Sequence, residues 1–164
     1  MPVERIAKSL LGLYIDEHDD IRTLPNAPTD QGHLSGMLDT DEMIIWVDRA
    51  EARRSPRRKR FTIAHEIGHF RMHVVNAAGV FVDRPQDIAE LPGDGGHGDL
   101  PELEQREREA DAFARELLMP EFLVTEQAHR IGFNLPALAE RFEVSVPAIR
   151  LRLRLLGLLP KYMT

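Results

Sequence analysis

FTIAHEIGHF, residues 61–70, carries two histidines four positions apart, His65 and His69, with Glu66 directly after the first. On a helix, four residues turn the chain by about 400° and advance it by about 6 Å, so both imidazoles stand on one face and reach a shared zinc ion. Glu66 then sits beside that pair rather than on it. From there a carboxylate takes a proton from the water that the ion activates. Ile63, Ala64, Ile67 and Gly68 are uncharged and Phe70 is apolar, as a buried helix requires, and Gly68 lets another backbone come close. The helix is predicted to start at Ser55 and Pro56, cap and first helical residue, and to run to about Val75. Phe61, Ala64, Ile67, Gly68, Met72 and Val75 give it an apolar stripe at spacings of three and four.

A catalytic zinc takes three protein ligands and keeps one position open. His73 continues the series, but on a straight helix it lies about 12 Å from His65, too far for both to sit about 2 Å from one ion. His73 is therefore expected behind the site, at its rim or in solvent. The third ligand is sought in the acidic helix predicted from Pro101 or Glu102 to Met119, whose inner face runs through Ala110, Phe113, Ala114 and Leu117. Glu107 lies three before Ala110 and is the expected ligand. Asp111, one turn on, is placed to accept the other N–H of a ligand histidine. Glu109 is about 200° round from Glu107 and is the alternative ligand.

The 164 residues suit one domain with a core, 43 % of them apolar and 29 % charged. No cysteine is present, which removes disulfides, thiolate metal sites and cysteine nucleophiles. No apolar run is long enough for a membrane helix, and the N-terminus does not read as a secretory signal, so a cytoplasmic location is expected. A net charge of −6 argues against a protein that lives by wrapping nucleic acid. The charge is uneven: RRSPRRKR (53–60) holds six basic residues in eight, at a helix start where the dipole disfavours them.

Residues 3–13 read as a first amphipathic helix and 13–52 as short strands, with a hairpin at 34–48 in which Gly36 permits a bulge or a close approach. Residues 77–101, rich in proline and glycine, read as a long loop. Helices follow to about His129, near 135–142 and near 146–156. The fold class expected is α+β: mainly helical, with a small antiparallel sheet near 34–48 and a C-terminal helical hairpin. The division expected is 1–130 as the metal-binding domain and 131–164 as a segment packed on it.

With RRKRFTIAHEIGHFRMH followed by EREADAFARELLMP, the sequence resembles the ImmA/IrrE family of zinc metallopeptidases. That family joins F-T-x-A-H-E-x-G-H to E-x-x-A-[DN]-x-F-A-x-x-L-L-x-P. Phe61, Thr62, Ala64, His65, Glu66, Gly68 and His69 match the first motif; Glu107, Ala110, Asp111, Phe113, Ala114, Leu117, Leu118 and Pro120 match the second. The resemblance spans about residues 34–160. It implies a zincin-like fold, Zn2+ held by His65, His69 and Glu107, Glu66 as the base, and cleavage of a helix-turn-helix repressor in mobile elements or stress responses. Longer members that resemble IrrE carry a further sensor domain, which is not expected within these 164 residues.

LAERFEVSVPAIRLRLRLLGL (138–158) has a helix-turn-helix pattern, with Leu138, Ala139, Val144 and Ile149 at packing positions and Ser145 as a cap. Glu143 occupies the turn position that favours glycine. Arg150, Arg152 and Arg154 spread round the helix instead of forming one reading face. The segment has two readings: a hairpin that packs on the rest of the chain or docks a partner, and a DNA-binding element. The functions expected are a zinc endopeptidase acting on a repressor protein or, alternatively, a zinc-containing regulator that binds DNA or sequesters a repressor without cutting it.

Overall fold

The computed structural model describes residues 1–28, 32–74, 80–83 and 101–159. Helix α1 (Val3–Leu11) ends on Gly12, whose φ of 69° turns the chain into strand β1 (Tyr14–His18). Strands β2 (Gly36–Asp39) and β3 (Ile44–Asp48) form the hairpin, with Met37 opposite Trp46 and Leu38 opposite Ile45. Asp39 holds the turn: its Oδ1 accepts from the backbone N–H of Asp41 (3.0 Å) and Glu42 (3.1 Å).

Two further strands extend the hairpin. β1 lies parallel to β3, and β4 (Val80–Asp83) lies antiparallel to β2, giving a mixed four-stranded sheet in the order β1-β3-β2-β4. β4 falls inside the stretch read as a loop; VFVD is too short an apolar run to announce a strand, and pairing with β2 makes it one. The rest of that predicted loop lies outside the described residues.

Helix α2 (Arg49–Arg54) also went unread, although Asp48 and Glu51 form a capping pattern: the Asp48 carboxylate accepts from the Glu51 N–H at 2.7 Å. Helix α3 (Pro56–His73) starts where expected, with Ser55 Oγ accepting from the Arg58 N–H at 3.2 Å. Every residue from Phe61 to His69 is buried. The basic run is answered by tertiary neighbours. Arg58 lies 3.8 Å from Glu51, Lys59 lies 2.9 Å from Glu17 and 3.5 Å from Glu4, and Arg60 lies 3.1 Å from Glu143. These carboxylates offset the unfavourable helix dipole.

Helices α4 (Glu102–Leu118), α5 (Glu121–Ile131), α6 (Leu135–Phe142) and α7 (Val146–Leu155) complete the described chain. The α6–α7 turn places Glu143 at φ 54°, and Ser145 Oγ caps α7 by accepting from the Ala148 N–H at 3.2 Å. Leu138, Ala139, Val144, Ile149 and Leu153 share one apolar core with Ala64, Ile67, Ala114 and Leu118. Arg152, the middle one of the three alternating arginines, is buried; its Nε donates to the Met119 carbonyl at 2.9 Å and its guanidinium pairs with Glu116. It is committed to the seam with α4 and is not presented outward. Among the described residues no helix is long and apolar enough to cross a membrane.

Candidate metal centre

α3 lies between β2 on one side and α4 on the other, and two glycines set both distances. A Cβ on Gly68 would meet the Ala110 Cα at 3.0 Å and the Ala110 carbonyl oxygen at 3.1 Å, so glycine lets the two helix backbones nearly touch. A Cβ on Gly36 would lie 2.3 Å from the Thr62 methyl and 3.1 Å from Glu66 Oε1, so glycine also brings β2 onto the face of α3 that carries Glu66.

The close α3–α4 seam brings one side chain of α4 to the histidine pair. His65 Nε2 and His69 Nε2 are 2.9 Å apart, both rings fully buried. Glu107 Oε2 is 3.3 Å from His65 Nε2, and its Oε1 is 3.3 Å from His69 Nε2. The three ligand atoms lie within 4.8 Å of one another. Donors about 2.0–2.1 Å from a tetrahedral ion stand roughly 3.3 Å apart, so the two histidine–Glu107 spacings match such an ion and the histidine pair is somewhat closer.

Asp111, one turn beyond Glu107, has its Oδ1 3.0 Å from His65 Nδ1. An ionised carboxylate only accepts, so Nδ1 carries the proton and the Nε2 lone pair faces the centre. Arg115 Nη1 stands 3.7 Å from the other Asp111 oxygen and holds it from behind. Burial pushes the Glu107 carboxyl up, but its contacts with the His65 and His69 imidazoles outweigh that and hold it at about 2. Burial pushes the His69 imidazole below its ordinary value, against the opposing pull of Glu107. Both directions favour the form a metal needs, an ionised carboxylate facing neutral imidazoles.

Glu66 is fully buried, with its Oε1 beside Gly36 of β2. His73 lies one turn beyond His69, its side chain 6 % exposed. Its Nε2 is 3.2 Å from the Arg106 carbonyl and 3.8 Å from Glu109 Oε2, and its ring stands 5.4 Å from that of His69. Glu109 thus faces His73, and also accepts from Gln105 Nε2 at 2.9 Å; the structure does not bring it to His65. Three contributors escaped the sequence reading: Arg115, Thr62 and the Arg106 carbonyl. Only Arg115 left a signal, its i, i+4 spacing from Asp111.

Residues 20–154 match the family model Peptidase_M78, the IrrE N-terminal-like domain. The chain belongs to that family. Among curated proteins none matches it. As an IrrE-like peptidase it is a metallopeptidase-type enzyme whose substrate is a protein, and its α+β fold is of the zincin-like kind. The family points to a metal, and the cluster of His65, His69 and Glu107 is a group that could hold one.

Proposed function

We propose that this IrrE-like peptidase is a zinc-dependent endopeptidase of the HExxH-plus-glutamate type that cuts a helix-turn-helix repressor in the cytoplasm and so relieves repression. The observation that carries the reading is the convergence of His65, His69 and Glu107 within 4.8 Å, with Glu66 buried on the same helix.

In this reading His65, His69 and Glu107 hold the ion, and Asp111 fixes the His65 tautomer. A bound zinc supplies Lewis acidity and lowers the pKa of the attacking water. Glu66 takes the proton from that water and delivers it to the leaving nitrogen. Its burial beside β2 keeps the carboxylate in a dry setting, which strengthens its action on a nearby proton.

A substrate strand has no place on the hairpin itself: β1 covers β3 and β4 covers β2, so neither hairpin strand has a vacant edge. Among the described strands the outer edge beside β2 belongs to β4, which packs next to α3. A peptide that pairs with β4 adds a strand to the sheet and runs along the metal-bearing helix. In this reading the described part of the C-terminal segment, residues 131–159, serves as a packed hairpin that steadies α3.

Incubation with helix-turn-helix repressors as candidate substrates tests the assignment, with fragments read by mass spectrometry and zinc by elemental analysis. Wild type is expected to cleave; Glu66→Gln is expected to keep its zinc and lose roughly 10²- to 10⁴-fold in rate. Equal cleavage by both removes Glu66 from the role. A stable uncut complex with wild type favours sequestration, and specific DNA binding without proteolysis favours a DNA-binding regulator.

A further inference from the structure

A second cavity, of about 520 Å³, opens at the seam between the first turns of α3 and the start of α7. None of its lining residues belongs to the metal centre. Phe61, Val144, Val146 and Pro147 give it apolar walls, and Arg57 and Arg58 stand at its side. Among the described residues none that lines it is acidic. Of the carboxylates around it, Glu143 is held by Arg60 at 3.1 Å, and Glu51 lies between Arg54 at 3.9 Å and the cavity's own Arg58 at 3.8 Å. Arg58 is fixed in place, with its Nη2 donating to Ser35 Oγ at 3.2 Å and its guanidinium 5.8 Å from the Phe61 ring centre. Arg57 is exposed at the rim.

We propose that this cavity binds a small hydrophobic carboxylate, with its apolar body against Phe61, Val144 and Val146 and its carboxylate toward Arg57 and Arg58. Three observations select that ligand class. The volume falls in the range of about 300–1,000 Å³ that holds small molecules, and the walls are apolar with polar groups on one side, as in such sites. The polar groups are guanidiniums, whose planar fork matches a carboxylate and repels an ammonium. The lining is helix and turn with no strand edge, so an extended peptide has no main-chain partner there, and a small molecule fits better than a peptide strand. The site adjoins the candidate metal centre at Phe61, which lines the cavity and whose ring centre lies 6.4 Å from that of His65.

Calorimetric titration with 4-phenylbutyrate, 4-phenylbutanol and 4-phenylbutylamine tests this, since the three share one apolar body and differ in charge. The acid is expected to bind one-to-one with a Kd below about 1 mM, and the amine at least about tenfold more weakly. Arg57→Glu, an exposed change, is expected to weaken the acid at least about threefold. Val146→Trp fills the cavity and is expected to remove binding; circular dichroism checks that it folds, and Arg57→Glu decides the matter if it does not. No saturable binding up to roughly 10 mM overturns the proposal. So does an amine that binds as tightly as the acid, or acid binding that is unchanged in Arg57→Glu. The readout needs neither zinc nor proteolysis, so it stands whether or not the peptidase reading does.

Discussion

The two halves of α3 meet their neighbours by opposite means. Toward its start, Arg58, Lys59 and Arg60 reach carboxylates on four different parts of the chain: buried Glu51 and the more exposed Glu17, Glu4 and Glu143. Toward its end, Ile63 to His69 lie dry between β2 and α4, and contact there depends on the missing side chains of Gly36 and Gly68. The first half is anchored by long, adjustable side chains that each contribute little. The second is anchored by backbone proximity, which leaves little slack. A metal site needs its ligands fixed to fractions of an ångström, and the candidate cluster lies in the half without slack.

Acid should separate the halves most strongly. Burial lowers the His69 pKa from its ordinary 6.5, and Glu107 is held at about 2 against an ordinary 4.5. Both folded values lie below the unfolded ones, so their stabilisation is full above about 6.5 and is lost as pH falls, first through His69 and then through Glu107 below about 4.5. The Glu107 share is on the order of 3 kcal/mol for the metal-free protein. Lys59 runs the other way: burial pulls its pKa down, but Glu17 and Glu4 outweigh that and raise it. Its contribution therefore holds below about 10.5 and fades only as pH rises past that. Urea unfolding from about pH 7.5 to about pH 4 should show a steady loss of stability; a flat profile would break the contrast.

Asp111→Asn keeps the shape of the side chain but removes the charge that holds His65 Nδ1–H. Zinc affinity, measured against a chelator, should fall about 10- to 100-fold while the fold persists. An unchanged affinity would mean that the His65 tautomer does not depend on Asp111.

Gly68→Ala places a methyl about 3.0 Å from the Ala110 backbone, so α4 must give by a few tenths of an ångström. Alanine also favours the helix by about 1 kcal/mol, which offsets the strain in the unfolding free energy. The expected result is a stability change within about 1 kcal/mol together with a clear loss of zinc affinity, because Glu107 moves with α4. Loss of stability with zinc affinity intact would show that the seam does not set the ligand geometry.

Glu143→Gly is the matching change at the adjustable end and the smallest effect. It removes the pair with Arg60 but relieves a side chain at φ 54°. Thermal and urea unfolding should move by less than about 1 kcal/mol. A larger loss would show that the basic half is held as firmly as the dry one.

Much of the centre was legible because it is local. His65, Glu66 and His69 lie within one turn and a half, and the 3.6-residue period alone puts the two histidines together. Glu107 and Asp111 were legible for a related reason: their positions relative to Ala110, Phe113 and Ala114 fix which way they face once that stripe is taken as the core side. The helix starts at Ser55 and Ser145 were written in cap chemistry.

What tertiary structure alone decided is long-range. Pairing with β2 turned Val80–Asp83 into a strand, and the parallel register of β1 on β3 added an edge that no local pattern announces. The carboxylates that tolerate a basic run at a helix N-terminus come from positions 4, 17, 51 and 143, separations over which sequence carries no signal for charge pairing. Sequence by itself determined which residues share a helical face, since helical geometry depends only on near neighbours. Only the fold determined which faces meet, because that rests on how closely two backbones approach, and here Gly68 and Gly36 allow α4 and β2 to approach α3.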